Sequence, residues 1–396
     1  MKIVFLAPFG IRPKGTLIAR MLPLAVELQK IGHTVTIIAP PYTNPEASGK
    51  TETVRGVRLV NVSLPATGKA LSALPLAWRM FRAALAEKPD LVHLFKPKGY
   101  GGLAAMLHLS LQRLGLRLPP LFLDTDDWEG AGGMNDLHSY SSAEKRLFAF
   151  QEKWLSRTAA GVTVASRELE KLTTGLGVPG SRIMYMPNCV EPTPIGDGKR
   201  IRERLGISPE TQVMLLYTRF FEFTQERLHL LFAEIHRLAP ELRLLVVGKG
   251  RNREEDQLLT AAEQMGFREA LTVIGWVEPE EIPDYLAAAD MAVYPLDDTL
   301  LNRAKCPAKL TELLMAGLPV VADSTGQAAE YIRPGTTGIL CRPEDWREMA
   351  AAVVALSRDA SQRRELGEAG RKYLLENFSW RVYVEHLQDF YSMESP

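Results

Sequence analysis

The chain is predicted to be α/β, with two Rossmann-like doubly wound domains, and three observations carry that prediction. Short apolar runs alternate with helical patterns along the whole length, the pattern of βαβ units and parallel sheets. At 396 residues the chain exceeds the usual size of one compact core, so two domains are expected. Residues 187–199 are rich in Pro and Gly and carry little periodicity, as a linker does. They divide an N-terminal domain, 1–190, from a C-terminal domain, 191–372, and 373–396 is expected to be a final amphipathic helix.

In the first half, strands are expected over 2–7, 34–39, 57–62, 91–94, 121–124, 161–165 and 183–186. The first helix carries its own punctuation. Thr16 can cap its start, Leu17, Met21, Leu24 and Leu28 recur at helical spacing, and Gly32 stands at its end. Pro23 inside it predicts a kink. The second half repeats the scheme with strands over 213–217, 243–247, 271–274, 291–294, 319–322 and 338–341. Ligands of open α/β sheets sit beyond the carboxyl ends of strands, so functional residues are sought there.

Composition excludes several classes. Lys plus Arg equals Asp plus Glu at 47 each, so no global field draws the chain to nucleic acid. Any phosphate binding must be local. Cys189, Cys306 and Cys341 are widely spaced and odd in number, which predicts neither a disulfide framework nor a CxxC metal site and fits a reducing cytosol. The N-terminus reads as a strand, too short for a signal-peptide core, and 18 consecutive apolar residues occur nowhere. A cytoplasmic protein is expected, with peripheral contact at the inner face of a membrane left open. Residues 66–86 and 139–157 mix Lys and Arg with Trp78, Phe81, Phe148, Phe150 and Trp154 at helical spacing, which favours core packing over an interfacial helix.

The most informative stretch is 302–321, NRAKCPAKLTELLMAGLPVV. It reads as loop, helix, Gly turn and buried strand. Pro307 suits the first helical position, yet Lys305 and Lys309 flank the start, where the helix dipole favours carboxylates. Two cations are sensible there if an anion docks on the free amides around Ala308 and Lys309. Glu312, one turn further on, can accept two hydroxyl hydrogens and so clamp a ribose. A plain surface pair of Lys309 with Glu312 is the competing reading.

Three N-terminal features stand beside it. PFGIRPKGT, residues 8–16, follows the first strand, and Gly15 lets backbone amides approach a phosphate. DTDDWEG, residues 124–130, packs four carboxylates behind a buried strand, which is costly because close like charges raise one another's pKa unless a metal or sugar hydroxyls use them. Its Asp-Thr-Asp start leaves a metal reading open. His93 ends a strand, followed by Lys96 and Lys98, and these three are assigned to the acceptor side, His93 with a neutral core role as the competing reading.

The 302–321 stretch resembles the donor-site segment of family 4 retaining glycosyltransferases, glycosyltransferase group 1, which have the GT-B fold of two Rossmann-like domains facing across a cleft. The resemblance implies that Glu312 holds the ribose while Cys306, Pro307, Ala308 and Lys309 hold the diphosphate and sugar. Ala304 stands where many members carry a first Glu. YTRFFEF, 217–223, resembles the segment that brings an Arg to the diphosphate, here Arg219. Gln225 replaces a frequent Lys, whose charge falls to Lys305, Lys309 or Lys249 of VVGKG, 246–250. VIGWV, 273–277, resembles the edge that meets the nucleobase, through Trp276 and Val277, and FSW, 378–380, resembles the start of the returning terminal helix. The loop with Gly15 would close on the diphosphate. Asp126 and Asp127 take the positions of a His–Asp pair, with the expected role of orienting an acceptor or sugar hydroxyl.

The implied activity is retaining transfer of a hexose-type sugar from a nucleotide-diphosphate donor to the hydroxyl of a glycan, lipid-linked or small-molecule acceptor, with no metal and no further cofactor. An epimerase of the same fold would act without an acceptor, and a two-lobed binding protein would show no chemistry.

Overall fold

The computed structural model describes residues 1–8, 10, 17–66 and 72–393. Gly15, Thr16 and the rest of the 11–16 loop lie outside the described residues. The chain divides into two compact units. Unit 1 comprises Met1–Cys189, Ala304–Cys306 and the segment from Ser379 onward, and unit 2 comprises Val190–Arg303 and Pro307–Phe378.

Unit 1 is built on eight strands: β1 (Lys2–Leu6), β2 (Thr34–Ala39), β3 (Thr51–Val54), β4 (Val57–Asn61), β5 (Leu91–Phe95), β6 (Leu121–Thr125), β7 (Val162–Val164) and β8 (Ile183–Tyr185). Their order is β3-β4-β2-β1-β5-β6-β7-β8, parallel except for the β3–β4 pair. Strands β5 and β6 are buried at every position, because helices cover both faces of a parallel sheet and leave no face for polar alternation. The strand order reverses between β1 and β5, which places the ligand-binding end of the sheet at the loops after β1, β5 and β6. Strand β3 is absent from the sequence expectation. Its hairpin turns through Arg55 and Gly56, both at positive φ (51° and 81°), a two-residue turn of the primed kind without its usual Asn-Gly or Asp-Gly signal.

The first helix also differs from expectation. A π-helical turn, Leu17–Met21, runs into the α-helix Leu22–Lys30, and Pro23 lies in the first turn of the α segment. Proline has no N–H to give and its ring crowds the preceding turn, so it sits at the change of pitch instead of kinking one continuous helix. Gly32 ends the helix as expected: at φ 93° it lets His33 N–H reach the Leu28 carbonyl at 3.0 Å. The terminal helix Trp380–Met393 buries Trp380, Val384, Leu387 and Tyr391, a 3.6-residue stripe, in the unit 1 core with Leu24, Leu28 and Phe122.

Unit 2 has six strands: β9 (Val213–Tyr217), β10 (Arg243–Val247), β11 (Leu271–Gly275), β12 (Met291–Tyr294), β13 (Val320–Asp323) and β14 (Ile339–Cys341). All pairs are parallel in the order β11-β10-β9-β12-β13-β14, so the reversal falls between β9 and β12. Helices Gln225–Leu238 and Trp346–Arg358 bury Leu231, Phe232, Ile235, Met349 and Val353 against Leu216, Val246 and Val293 of the sheet. Among the described residues, no helix is long and apolar enough to cross a membrane.

Candidate functional site

In unit 2 the chain leaves β9 through Tyr217, Thr218, Arg219 and Phe220. Phe220 is buried at φ 67°, a left-handed backbone that a Phe tolerates only when its surroundings impose it. Here Thr218 Oγ1 accepts the Phe220 N–H at 2.8 Å and donates to the Glu222 carboxylate at 3.2 Å. At the end of β10, Gly248 (φ 133°) lies so close that a Cβ would stand 1.8 Å from the Thr218 carbonyl oxygen. The strained turn turns Arg219 outward: its side chain is exposed, with its guanidinium 5.8 Å from the Phe221 ring, which Arg251 also approaches at 5.7 Å.

Helix Ala308–Met315 begins with no acidic residue in its first turn and no side-chain cap. Pro307 is its N-cap at ψ 96°, one position earlier than the sequence predicts, so Ala308 opens the helix. Both Lys309 and Glu312 turn to Tyr217. The Lys309 ammonium stands 3.1 Å from the centre of the Tyr217 ring, a cation–π contact, and the Tyr217 hydroxyl is hydrogen-bonded to the Glu312 carboxylate. Burial, the Glu312 charge and that hydrogen bond push the Tyr217 phenol well above its ordinary range, while Arg219 pulls the other way. Two of the expected residues, Lys309 and Glu312, thus converge on Tyr217, which the sequence reading passes over as the last residue of an apolar strand, and Arg219 follows it two positions on.

The other expected residues of this half are dispersed. Lys249 is exposed just after β10, Trp276 is 68% exposed just after β11, and Val277 beside it is buried. Lys305 and Cys306 are buried and belong to unit 1, although their chain neighbours belong to unit 2. Ser166 Oγ donates to the Ala304 carbonyl at 2.6 Å, and Asn188 donates its backbone N–H to Cys306 Sγ at 3.1 Å and its side-chain amide to the Cys306 carbonyl at 2.7 Å.

In unit 1 the carboxylates after β6 meet cations one by one. Asp124, fully buried, receives Nε and Nη2 of Arg20 at 2.7 and 2.6 Å and the Thr163 hydroxyl at 2.5 Å. Lys96 Nζ lies 2.9 Å from Asp126 and 2.5 Å from Asp127. Lys98 Nζ donates to Glu129 at 2.7 Å and to Asn135 at 3.1 Å. Asp124 and Asp126 therefore serve different cations, and the Asp-x-Asp pair does not act as one ligand set. Burial alone would lower the Lys96 pKa, but Asp126, Asp127 and Glu129 outweigh it and hold the ammonium well above its ordinary value. Lys96 itself adopts φ 60°, so the end of β5 is bent to bring the ammonium to the carboxylates. Glu152, on helix Ser142–Thr158, accepts the Glu129 N–H at 2.8 Å, and burial beside Glu129 raises its pKa strongly.

His93 corrects the acceptor-side expectation. Its ring is wholly buried, hydrogen-bonded to the Tyr391 hydroxyl at 2.6 Å and packed edge-on to Phe5. Burial, with Arg20 nearby, pushes its pKa down to about 3, so it is a neutral core group. Lys98 too is buried, inside its own ion pair, which leaves Lys96 with Asp126 and Asp127 as the more open part of the cluster. Arg20 is the residue the sequence reading missed. Its signal was present: a lone cation on the apolar stripe formed by Leu17, Met21 and Leu24.

Two family descriptions match the chain: "Glycosyl transferase 4-like domain" over residues 15–189 and "Glycosyl transferases group 1" over residues 211–359. The chain belongs to the group 1 glycosyltransferases. It is 27% identical over 237 residues to a GDP-mannose-dependent alpha-(1-6)-phosphatidylinositol monomannoside mannosyltransferase of Mycolicibacterium smegmatis, a match over 58% of the chain and 62% of that relative. It is 26% identical over 382 residues to the glycogen synthase of Mycobacterium tuberculosis, a match over 91% of the chain and 86% of the relative. Among solved structures, sucrose-phosphate synthase from Thermosynechococcus elongatus superposes with a TM-score of 0.76 over 99% of both chains at 18% identity. HepE of Anabaena in complex with UDP superposes with a TM-score of 0.72 over 99% of this chain and 100% of its own, also at 18% identity. These likenesses show the fold of this glycosyltransferase, GT-B with two parallel-sheet α/β units.

Proposed function

We propose that this group 1 glycosyltransferase binds a nucleoside-diphosphate sugar on unit 2 and transfers a hexose-type sugar, with retention, to an acceptor hydroxyl held on unit 1. The convergence of Lys309 and Glu312 on Tyr217, with Arg219 exposed at the end of the same strand, supports the donor half most directly. A diphosphate docks on Arg219, Lys309 and the first amides of helix Ala308–Met315. Glu312 accepts the ribose hydroxyls, and Trp276 and Val277 meet the base. Transfer breaks the bond between the sugar's anomeric carbon and the phosphate oxygen and forms one to the acceptor oxygen on the same face. The acceptor proton passes to the departing phosphate. Asp126 or Asp127 orients the acceptor hydroxyl. The fixed cations answer the leaving-group charge, so no metal is required.

A thermal-shift panel of UDP, GDP, ADP and dTDP tests the donor half. The preferred nucleotide at a hundredfold excess over its Kd should stabilise the protein by about 2.7 kcal/mol. A flat response to all four would sink the donor site, and an inverted anomer in proton NMR of the product would sink retention.

We further propose peripheral membrane contact, on a specific observation. Helix Ala73–Ala86 exposes Leu74 and Trp78 beside exposed Arg79 and Arg82, and helix Ser142–Thr158 exposes Leu147 and Phe150 beside exposed Arg146 and Lys153. Apolar side chains flanked by cations suit an anionic lipid surface. Vesicles containing phosphatidylserine should carry the protein upward in a flotation gradient and release it at high salt. Equal flotation with neutral vesicles, or none with either, would reject the contact.

A further inference from the structure

Arg20 stands at the centre of unit 1 with all five of its donor positions engaged. Nε and Nη2 clamp Asp124 in a bidentate pair, at 2.7 and 2.6 Å. The same Nη2 reaches the Met186 carbonyl at 2.6 Å, and Nη1 reaches the Pro187 carbonyl at 3.1 Å and the Asn188 side-chain oxygen at 3.3 Å. The side chain is completely buried, 5.8 Å from the Trp380 ring. Burial works against its charge, but Asp124 more than compensates, so the guanidinium stays protonated throughout the accessible range. Arg20 lies in the π-helical turn Leu17–Met21, a local geometry that is frequent at functional sites.

Its acceptors lie on two segments with different duties. Asp124 begins the carboxylate loop and stands two residues before Asp126. Asn188 passes the connection on: its oxygen takes the Arg20 hydrogen, and its two N–H donors go to the sulfur and the carbonyl of Cys306, the residue before Pro307. One guanidinium therefore sets the register of the carboxylate loop, of residues 186–188 and of the Cys306 backbone together. A lysine could not do so, because a single ammonium with three donors cannot span a carboxylate on one side and three oxygens of a second segment on the other.

We propose that Arg20 is a positioning residue for transfer, holding the loop of Asp126 and Asp127 in register with Cys306 through Asp124 and Asn188. The functional half of this inference rests on the roles given above to Asp126, Asp127 and the segment around Cys306. The geometric half does not. A residue that merely glued the core would tolerate any change that kept the chain folded, whereas a positioning residue requires its planar fork.

Two variants of the full chain, Arg20→Lys and Asn188→Ala, test it with two readouts. The first is the rate at which N-ethylmaleimide labels Cys306, followed by peptide mass spectrometry with Cys341 of unit 2 as internal reference. Both variants should label at Cys306 about tenfold or more faster than the wild type, because the segment opens locally, while Cys341 stays unchanged. The second is steady-state kinetics with the nucleotide sugar selected by the thermal-shift panel. In both, kcat should fall about 10- to 100-fold, with donor KM rising by a smaller factor. Asn188→Ala spares the Arg20–Asp124 pair, so it decides the matter if Arg20→Lys does not fold. Unchanged Cys306 labelling in a folded variant overturns the inference, as does wild-type kcat. Faster Cys306 labelling in the variants than in the wild type, with no transferase activity in any of the three, would retain Arg20 as the organiser of this register and reject the proposed reaction instead.

Discussion

Replacing Lys96 with Met is expected to cost about 3–5 kcal/mol of unfolding free energy at pH 7, the largest stability effect among these side chains. The substitution keeps the length of the side chain and removes the charge. Lys96 is nearly buried, with its ammonium shared by Asp126 and Asp127 and within the field of Glu129. Without it, three clustered carboxylates face one another, and among the described residues the Lys98–Glu129 pair supplies the compensation close by. The pH dependence has a definite sign. The folded-state pKa of Lys96 lies above its ordinary value of 10.5, so its contribution is complete below that value and is lost as pH rises through the higher, folded one. Urea unfolding of the wild type should accordingly show a constant Lys96 contribution through neutral pH and a decline in alkali. In Lys96→Met the deficit should instead shrink in acid, as Glu129, whose pKa burial raises, takes up its proton. A variant that unfolds with the wild-type midpoint at pH 7 would show that the cluster is solvated and that its charges are not coupled.

What could be read from the residues, and what could not, follows from how local each cause is. The boundaries of β9, β10 and β12 coincide with expectation because each is a short apolar run closed by a polar residue, Gly or Pro: Thr218, Gly248 and Pro295. The β3 hairpin does not, because Thr51–Val54 is an exposed edge strand without alternation, turned by Arg-Gly. Lys309 and Glu312 were legible through a helix start with the wrong charge for its dipole. Tyr217 was not, since its importance arises only where β9 meets helix Ala308–Met315, contacts made by residues almost a hundred positions apart. His93 shows the converse. A histidine at a strand end looks exposed in a one-dimensional pattern, but the terminal helix, folding back from the far end of the chain, closes over it with Tyr391. Arg20 was visible as a cation on an apolar stripe, yet the partners that make it tolerable there lie 104 and more positions away.

Removing Arg219 should affect catalysis as much as removing Lys96 affects stability. Arg219→Ala is expected to lower kcat/KM by about 10²–10³, the range found when a fixed donor to developing negative charge is deleted. The side chain is exposed and its contact is with the Phe221 ring, so stability should change by no more than about 0.5 kcal/mol. The loss should be specific to phosphate. The nucleoside diphosphate that stabilises the wild type should stabilise the variant much less, while the matching nucleoside, which lacks the diphosphate, should bind both alike. Glu312→Gln should reverse that pattern, weakening nucleoside and nucleotide together because both carry the ribose hydroxyls. Arg219→Lys should recover part of the rate, since a point charge without the planar fork keeps attraction and loses bidentate geometry. Phe220 and Gly248 hold the turn through Thr218, so the position of residue 219 does not depend on what its own side chain binds. Full diphosphate binding and full turnover in Arg219→Ala would therefore move the leaving-group site away from the end of β9, whatever remained of the ribose assignment at Glu312.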